Sequence, residues 1–273
     1  MPELPEVETT CRSLRPYLRN RRITRVEILQ PYLRLPVDAG LRKQLEGQTM
    51  TRVERRAKYI LIFLKSGLVW GFHLGMSGKL IHLDADTPRV KHDHIIVRLD
   101  NQRELRYHDP RRFGFSFVVS CDELWTLPQL ARLGLEPFDS RFGGAYLYGF
   151  TRCSNRRIRD LLLDQHVVAG IGNIYANEIL FRVRIRPTRR SRSLSRAAVD
   201  VLAATTAKVL REAIRWCGTS FSDYRDADDK YGEFQNHLRV YNREAKRCRK
   251  CPSSIKRVAP GNRSAFYCPS CQK

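Results

Sequence analysis

The sequence has no long apolar run. No stretch approaches the roughly 18 consecutive apolar residues of a membrane-spanning helix, although 42% of the residues are hydrophobic, as in ordinary globular proteins. The first residues include glutamates where a signal peptide would carry lysines, and no internal repeat is present. These absences argue against a membrane protein and against a repeat array. We therefore expect a cytoplasmic protein, whose 273 residues suffice for two domains and a small appended module.

Acidic residues are scarce relative to basic ones. The chain has 28 aspartates and glutamates against 50 lysines and arginines, which gives a net charge of +22 and a pI near 10.2. Because neutralising phosphates releases counterions, such a surplus favours a polyanion as the partner. Basic ribosomal proteins and proteins of membrane surfaces share this balance. The composition by itself favours nucleic acid over those alternatives.

A disulfide framework is also missing, although the chain has eight cysteines. Four of them stand alone, mostly within apolar patterns, and we expect these to be buried free thiols. They are Cys11, Cys121, Cys153 and Cys217. The other four form two C-x2-C pairs near the C-terminus, which is typical of an intracellular metal site rather than of an oxidised framework.

The two cysteine pairs have the spacing C-x2-C-x16-C-x2-C. Their members are Cys248, Cys251, Cys268 and Cys271. Each pair directs two thiolates to one point, so a β-hairpin between the pairs closes a tetrahedral Zn(Cys)4 site. Four protein ligands leave no open position, which predicts one structural zinc and no catalytic metal. Lys256, Arg257 and Arg263 in the hairpin either reach a phosphate or form a solvated basic surface.

Short strands dominate the first half of the chain. Residues 22–119 are mostly short alternating or apolar runs with turn signals between them, which predicts a β-sandwich or barrel. The clearest strand segments are 22–29, 59–64, 68–74, 94–99 and 104–107. Residues 100–102, Asp-Asn-Gln, predict a hairpin turn between the last two. Helical patterns then occupy 147–217, including a long helix over 197–216.

The first residues, MPELPEVETT, predict the start of a helix. Pro5 suits the first helical position, and the helix dipole favours the negative charge of Glu6 and Glu8 there. The apolar residues Val7, Cys11, Leu14 and Leu18 follow at helical spacing. A helix start accounts for everything from Pro5 onward. It leaves Pro2 and Glu3 unexplained at an end where chains usually fray.

A second informative stretch is LLLDQHVVAGIGNIYANEIL, residues 161–180. Its glycines do not form a nucleotide-binding fingerprint, because neither the preceding strand nor the full G-x-G-x-x-G is present. The pattern instead predicts two helices joined by a tight glycine turn, with Asn173 as N-cap of the second helix. A helix N-terminus presents free N–H groups that bind phosphate. An ordinary helical hairpin explains the residues equally well.

Taken together, the motifs resemble those of the formamidopyrimidine-DNA glycosylase family, bacterial base-excision enzymes for oxidised purines. The resemblance runs from Pro2 to Lys273. Its motifs are PELPEVET at 2–9, RRAKY at 55–59, HLGMSG at 73–78, KHDH at 91–94, YHDPRRFG at 107–114, DQHVVAGIGNIYANE at 164–178 and FYCPSCQK at 266–273.

The resemblance gives the first residues a role. It implies that removal of Met1 exposes Pro2, whose amine attacks C1′ of the sugar and forms an iminium. It implies that Glu3 handles protons at the opening sugar ring and that Glu6 supports this geometry. It also implies that Lys58 binds a phosphate beside the reacting nucleotide and takes part in catalysis. Without the family, Pro2 and Glu3 read as a frayed end, and Lys58 as a solvated charge.

The resemblance also implies a set of DNA contacts. Met76, Arg111 and Phe113 match the residues that fill the hole left by the flipped base, with Arg111 facing the orphaned cytosine and Phe113 wedging the neighbouring step. The other implied DNA contacts are His73, His92, Asn173, Tyr241 and Arg263. In a protein without this resemblance, Met76 and Phe113 are more often core residues.

The family implies an α+β multidomain fold. Residues 1–132 then form an N-terminal helix plus β-sandwich, and 133–237 form a helix–two-turn–helix domain whose loop 218–234 covers the lesion. Residues 238–273 form a zinc-finger β-hairpin. The implied activity is that of a monomeric glycosylase and abasic-site lyase. Its partner is double-stranded DNA containing oxidised bases, chiefly 8-oxoguanine and formamidopyrimidines opposite cytosine, or abasic sites.

The chain departs from the family pattern around the first cysteine pair. Asn242, Ala245 and Arg247 stand where the family usually has glycine, glycine and proline, and Pro252 stands where glycine is common. These departures concern loop conformation, since the four cysteines are intact.

Two rival functions share parts of the pattern. The sister family acting on oxidised pyrimidines also has Pro2, Glu3 and the zinc module. A non-catalytic binder of damaged DNA is the rival from another class. Intact Pro2, Glu3 and Lys58 argue against that binder.

Overall fold

The computed structural model describes residues 1–220, 225–259 and 261–273. The chain divides into two compact units. The first contains residues 1–131 and 216–235, and the second contains residues 132–215 and 236–273. Across the described ranges, the helices are all too short or too polar to cross a bilayer.

In the part of the first unit that the structure describes, there are three α-helices and eight strands. The helices are α1 (Leu4–Leu18), α2 (Leu41–Leu45) and α3 (Pro128–Ala131). The strands are β1 (Ile23–Ile28), β2 (Met50–Arg56), β3 (Tyr59–Leu64), β4 (Leu68–His73), β5 (Lys79–Asp84), β6 (Asp93–Leu99), β7 (Arg103–His108) and β8 (Phe115–Ser120).

The eight strands form two antiparallel sheets with the orders β1-β6-β7-β5 and β2-β3-β4-β8. Both sheets contribute to one core, in which Trp70 and Phe72 of β4 lie with Tyr107 of β7. The Phe72 and Tyr107 ring centroids are 5.4 Å apart. The predicted β-sandwich is confirmed, and so is the hairpin between β6 and β7.

Helix α1 buries the face that the sequence predicted. Val7, Cys11, Leu14 and Leu18 are fully buried in the sandwich core. The helix begins one residue earlier than predicted, so Pro5 is its second residue and Glu3 is its N-cap. Glu3 and Glu6 form a reciprocal capping box, which satisfies two N–H groups of the first turn.

The second unit is mainly helical. Its helices are α4 (Gly144–Arg152), α5 (Ile158–Leu163), α6 (Asn173–Arg182) and α7 (Arg196–Arg215), and its strands are β9 (Lys256–Val258) and β10 (Ala265–Tyr267). Helix α7 lies within one residue of its predicted range and buries Leu202, Val209 and Leu210. The antiparallel hairpin of β9 and β10 lies between the cysteine pairs, as predicted.

The N-cap of α6 was predicted one residue too late. Gly172 is the N-cap in extended conformation, and Asn173 is the first helical residue. Within α6, the Asn173 side chain accepts a hydrogen bond only from the Asn177 side chain (3.3 Å). Its oxygen accepts a hydrogen bond from Arg159 Nη2 (2.7 Å), and its Nδ2 donates to the Ser264 carbonyl (3.0 Å). These stronger tertiary partners replace the local cap.

Residues 216–235 belong to the first compact unit, although they follow α7 in sequence. Ala227 is fully buried in the sandwich core, its N–H donates to Ser13 Oγ (3.1 Å), and its carbonyl accepts from the His82 N–H (3.0 Å). This grouping differs from the three predicted segments, which assigned these residues to the helical domain. The division into three domains stays a prediction.

The prediction of buried lone thiols holds for part of the set. Cys11 is buried and Cys121 is half-buried, but Cys153 and Cys217 are exposed. Both exposed cysteines follow the last residues of helices, α4 and α7, where the apolar period has already ended. The apolar patterns around these two cysteines therefore did not predict their burial.

Two departures from the family pattern lie at left-handed backbone positions. Asn242 has φ 54° and Ala245 has φ 61°, where glycine carries no steric cost. Asparagine tolerates this region, whereas alanine is strained there by about 1 kcal/mol. The Ala245 N–H donates to the Ile255 carbonyl (3.0 Å), which fixes this conformation within the C-terminal hairpin.

We predict that Ala245→Gly raises the free energy of unfolding by about 1 kcal/mol, because the strain is removed and the hydrogen bond is kept. Ala204→Gly, at an exposed site inside α7, is the matched control and lowers it by about 1 kcal/mol. Urea unfolding measures both. A destabilised Ala245→Gly variant would mean that residue 245 is not left-handed in solution.

Candidate functional site

The N-terminal residues of the first unit are buried, whereas Met1 is 42% exposed. Pro2 is buried, and the Glu3 side chain is 2% exposed. Met1 is therefore accessible for removal, and its removal places a free Pro2 amine beside a buried carboxylate. This end of the chain is not frayed.

Glu6 holds this end of the chain in place. Its Oε2 accepts the Glu3 N–H (2.8 Å), and its Oε1 accepts the Thr219 N–H (2.7 Å). The residue is 1% exposed. Gly218 has φ +78°, and a Cβ there would lie 2.8 Å from Glu6 Oε1. Glycine is therefore required at 218 both by the positive φ and by the space that the Glu6 carboxylate occupies. The sequence predicted that residues 218–234 form the loop over the lesion, but it did not predict the contacts of Gly218 and Thr219 with Glu6.

Lys58 lies in the tight turn between β2 and β3 and is 6% exposed. Ala57 before it has φ 51°. The Lys58 ammonium is close enough to His73 of β4 to lower the pKa of that imidazole. Lys58 is thus a buried cation in the first unit, not a solvated surface charge.

His73 is neutral at pH 7. Burial, with contributions from Lys58 and Arg34, lowers its pKa to about 4. The Gly75 N–H donates to His73 Nδ1 (3.2 Å), so Nε2 carries the proton and is a donor. Arg34, which the sequence analysis missed, adds an exposed cation here. The three side chains suit an anionic ligand.

The three side chains predicted to fill the hole are exposed. Met76 is 39% exposed and Phe113 is 44% exposed, which excludes a role in the core. The Arg111 guanidinium lies 4.8 Å from the Phe113 ring centroid. Large apolar side chains on exposed turns can insert into a binding partner.

His92 lies in a group of three imidazoles. Its ring centroid is 6.2 Å from that of His94 and 6.1 Å from that of His108. Its backbone is left-handed, with φ 79°. Partial burial and the Lys91 charge lower the pKa of His92, which favours its neutral form.

In the second unit, Arg159 joins Asn173 to the chain segment of Arg263. Besides its bond to Asn173, Arg159 Nη2 donates to the carbonyls of Arg263 (3.0 Å) and Ser264 (3.2 Å). The Arg159 side chain is buried, and burial lowers its pKa. The exposed Arg263 side chain thus extends from a backbone fixed to the α6 N-terminus. Sequence reasoning missed Arg159.

Tyr241 is positioned by a buried carboxylate. Glu178 of α6 is fully buried, and its oxygens accept the N–H groups of Arg239, Val240 and Tyr241 at 2.9–3.0 Å. Burial raises the pKa of Glu178, and these N–H bonds oppose that shift. The Tyr241 ring contacts Phe266 at 5.3 Å between centroids. Glu178 was quoted in a motif but not recognised as a site residue.

The four cysteines of the C-terminal pairs form one cluster, as predicted. Their Sγ atoms all lie within 4.8 Å of one another. Cys251 Sγ is 3.4 Å from Cys268 Sγ and 3.6 Å from Cys271 Sγ. Four thiolates on a tetrahedral zinc at about 2.3 Å are about 3.8 Å apart, so this donor set fits the metal.

Comparison with known proteins identifies the two halves of the chain. Residues 1–116 match the model of the formamidopyrimidine-DNA glycosylase N-terminal domain, and residues 133–225 match the model of the formamidopyrimidine-DNA glycosylase H2TH domain. The chain belongs to the formamidopyrimidine-DNA glycosylase family. The resemblance seen in the sequence is thereby confirmed.

Full-length relatives agree. A formamidopyrimidine-DNA glycosylase of Thioalkalivibrio sulfidiphilus is 46% identical to this chain over 273 residues. The alignment covers 100% of both chains. A crystal structure of a Lactococcus lactis Fpg variant with DNA containing Fapy-dG has a TM-score of 0.93 at 31% identity, covering 100% of both chains. Lactococcus lactis Fpg with DNA containing an abasic site gives a TM-score of 0.93 at 31% identity, covering 99% of each chain.

We predict that Gly218→Ala is more destabilising than Gly47→Ala. Both glycines are left-handed, at φ +78° and +81°, so alanine costs about 1 kcal/mol at either. Nothing lies within 4 Å of an added Cβ at Gly47, whereas at Gly218 it displaces Glu6. Losing the bond to Thr219 adds roughly 1 kcal/mol or more. Urea unfolding of both variants measures the difference. An equal loss of unfolding free energy in the two variants would contradict the close contact between residue 218 and Glu6.

Proposed function

We propose that this protein is a base-excision repair enzyme that removes oxidised purines, 8-oxoguanine and formamidopyrimidines, from duplex DNA and cleaves the resulting abasic site. Membership of the family over the whole chain carries the proposal. The buried, hydrogen-bonded N-terminus supports it independently, because a chain end is seldom held this firmly without a function.

Pro2 is the nucleophile. After removal of Met1 its α-amine has a pKa near 8, far below that of a lysine, so a usable fraction is unprotonated at neutral pH. Attack on C1′ of the sugar expels the oxidised base and leaves an iminium. This electron sink permits β,δ-elimination, which releases the phosphates on both sides of the sugar.

Glu3 and Glu6 have separate roles. Glu3 lies next to the nucleophile and transfers protons at the ring oxygen as the sugar opens. Glu6 positions the N-terminal segment and the start of the loop 218–234 through its bonds to the N–H groups of Glu3 and Thr219. A carboxylate whose oxygens are occupied in this way is a support, not a proton donor.

Cationic and neutral hydrogen-bond donors bind the phosphates of the DNA backbone. Lys58 and His73, with Arg34 beside them, bind phosphates near the reacting nucleotide. In the second unit Asn173, Arg263 and Tyr241 do the same, and His92 adds a contact in the first. The supports are the buried Arg159 and Glu178.

The exposed Met76, Arg111 and Phe113 fill the hole in the stack. An enzyme that works on a base must first extrude it, which costs a few kcal/mol, and inserted side chains offset that cost. Arg111 hydrogen-bonds the orphaned cytosine, and Phe113 wedges the neighbouring step. Their exposure in the absence of DNA supports this role.

The loop 218–234 covers the extruded base. Residues 221–224, including the acidic Asp223, lie outside the described residues. Asp226 is mainly structural, since its Oδ1 accepts the N–H groups of Asp228 (3.0 Å) and Lys230 (2.9 Å). The enzyme acts as a cytoplasmic monomer on DNA.

Borohydride trapping on an 8-oxoguanine duplex tests the proposed function. The processed enzyme gives a covalent protein–DNA adduct, because borohydride reduces the iminium. Pro2→Gly and a chain that retains Met1 give none, yet both bind DNA nearly normally in a gel shift, since phosphate contacts supply most of the affinity. A chain with Met1 retained that still traps would exclude Pro2 as the nucleophile.

Defined lesion duplexes distinguish the rivals in the same assay. Excision of oxidised pyrimidines in preference to 8-oxoguanine would assign the chain the activity of the sister family. Binding without excision or trapping on any lesion would identify a non-catalytic binder.

The four-cysteine cluster holds one structural zinc. Thiolates are the ligands that zinc prefers, and the fourth cysteine leaves no position for substrate. Zinc supplies folding free energy to this module, of about 10–16 kcal/mol for comparable small sites. It thereby fixes the β9–β10 hairpin and, with it, the segment of Arg263.

Cys268→Ser is predicted to lose the metal and unfold the hairpin. DNA binding falls because Arg263 is no longer positioned, whereas the β-sandwich stays folded. The three tryptophans, Trp70, Trp125 and Trp216, all lie in the first unit, so their fluorescence reports on that unit alone. Cys153→Ser, at an exposed lone cysteine, is the control and keeps both metal and binding. Metal analysis that finds no zinc in the intact protein would refute the assignment.

A further inference from the structure

Two turns of the first unit carry the exposed side chains. Residues 74–78 connect β4 to β5 and include Met76, and residues 109–114 connect β7 to β8 and include Arg111 and Phe113. The turns are in direct backbone contact. A Cβ on Gly75, which has φ +63°, would lie 2.4 Å from both the Phe113 carbonyl carbon and the Gly114 nitrogen.

A fully buried carboxylate joins the two turns. Asp109 Oδ1 accepts a hydrogen bond from Ser77 Oγ (2.6 Å), and Oδ2 accepts the Gly114 N–H (2.9 Å). The Tyr107 hydroxyl also donates to Oδ2 (3.2 Å). Burial and the Asp109 charge raise the pKa of Tyr107, so its phenol remains a donor.

Ser77 extends this link to the second turn. Its Oγ accepts the Arg111 N–H (3.2 Å) while its hydroxyl donates to Asp109. His94 Nε2 lies 2.7 Å from the Asp109 carbonyl oxygen, which ties the same residue to β6. Ser77, which follows Met76, and Gly114, which follows Phe113, therefore both bond to one buried carboxylate.

We propose that Asp109 and Ser77 are positioning residues that hold Met76, Arg111 and Phe113 in the arrangement needed to enter the DNA stack. The inference rests on the hole-filling role given under the proposed function. Both residues are buried, so they act through the exposed side chains and not through contact with DNA. Their effect is preorganisation: three exposed side chains on two turns enter a narrow space together, and fixing the turns beforehand removes the entropy cost of ordering them at that moment.

Ser77→Ala is the main test, since it removes the link and leaves the backbone intact. Asp109→Asn is the second variant, because its amide group must face either the Ser77 hydroxyl or the Gly114 N–H. Ser116→Ala is the matched control. Ser116 is as buried a serine as Ser77, at 7% against 3% exposed, and its Oγ has no hydrogen-bond partner among the described residues.

The measurement is single-turnover excision of 8-oxoguanine opposite each of the four bases, with cleavage of a preformed abasic duplex in parallel. We expect Ser77→Ala and Asp109→Asn to slow excision by roughly 10- to 100-fold and to weaken the preference for cytosine. Cleavage at the abasic site, with no base to extrude, changes less than about threefold. Ser116→Ala changes neither rate.

Arg111→Ala separates this proposal from the one on which it rests. If Arg111→Ala itself leaves excision and the opposite-base preference unchanged, the hole-filling role fails. If Arg111→Ala slows excision but Ser77→Ala does not, or slows both substrates equally, the positioning role alone is overturned. The double variant completes the test. Because Ser77 acts partly through Arg111, the double variant slows excision by less than the product of the two single effects, whereas independent effects would multiply.

Discussion

The arrangement of the first unit depends on one carboxylate, that of Glu6. Its two oxygens accept hydrogen bonds from the N–H groups of Glu3 and Thr219. Thr219 is 213 residues from Glu6 in the sequence. The first residues of most proteins are mobile, so a terminal amine cannot act as a positioned nucleophile unless the end of the chain is held in place. Glu6 resolves this conflict with bonds to backbone N–H groups, which among substitutions at the partners only proline would remove. The left-handed Gly218 gives the carboxylate its space.

Buried charges perform the same task in the second unit. Arg159 and Glu178 are both buried, and each bonds the backbone of a segment that also carries a proposed DNA contact. Burying a charge is costly unless its hydrogen bonds are satisfied, so such groups are kept where a fixed geometry repays the cost. In both units the residues proposed to touch DNA are therefore held by a layer of charged groups that do not.

The sequence predicted the parts of this molecule that are encoded locally. The apolar run of 59–64 matches β3 residue for residue, and the cysteine spacing predicted the four-thiol cluster. The helix–turn–helix pattern was right, but Asn173 is not the N-cap, because its side chain has tertiary partners that spacing does not reveal. The supporting residues Gly218, Arg159 and Asp109 were not predicted for the same reason. Their roles arise from contacts between segments far apart in the chain.

The left-handed Ala245 shows what a metal-centred module tolerates. A hairpin of two three-residue strands has almost no core of its own, and strain of about 1 kcal/mol is a large part of what such an element can lose. The zinc proposed for the four cysteines would supply about ten times that amount. With that metal bound, the module would keep its shape despite a strained residue in its loop, whereas a hairpin of this size without a metal has no comparable reserve of stability.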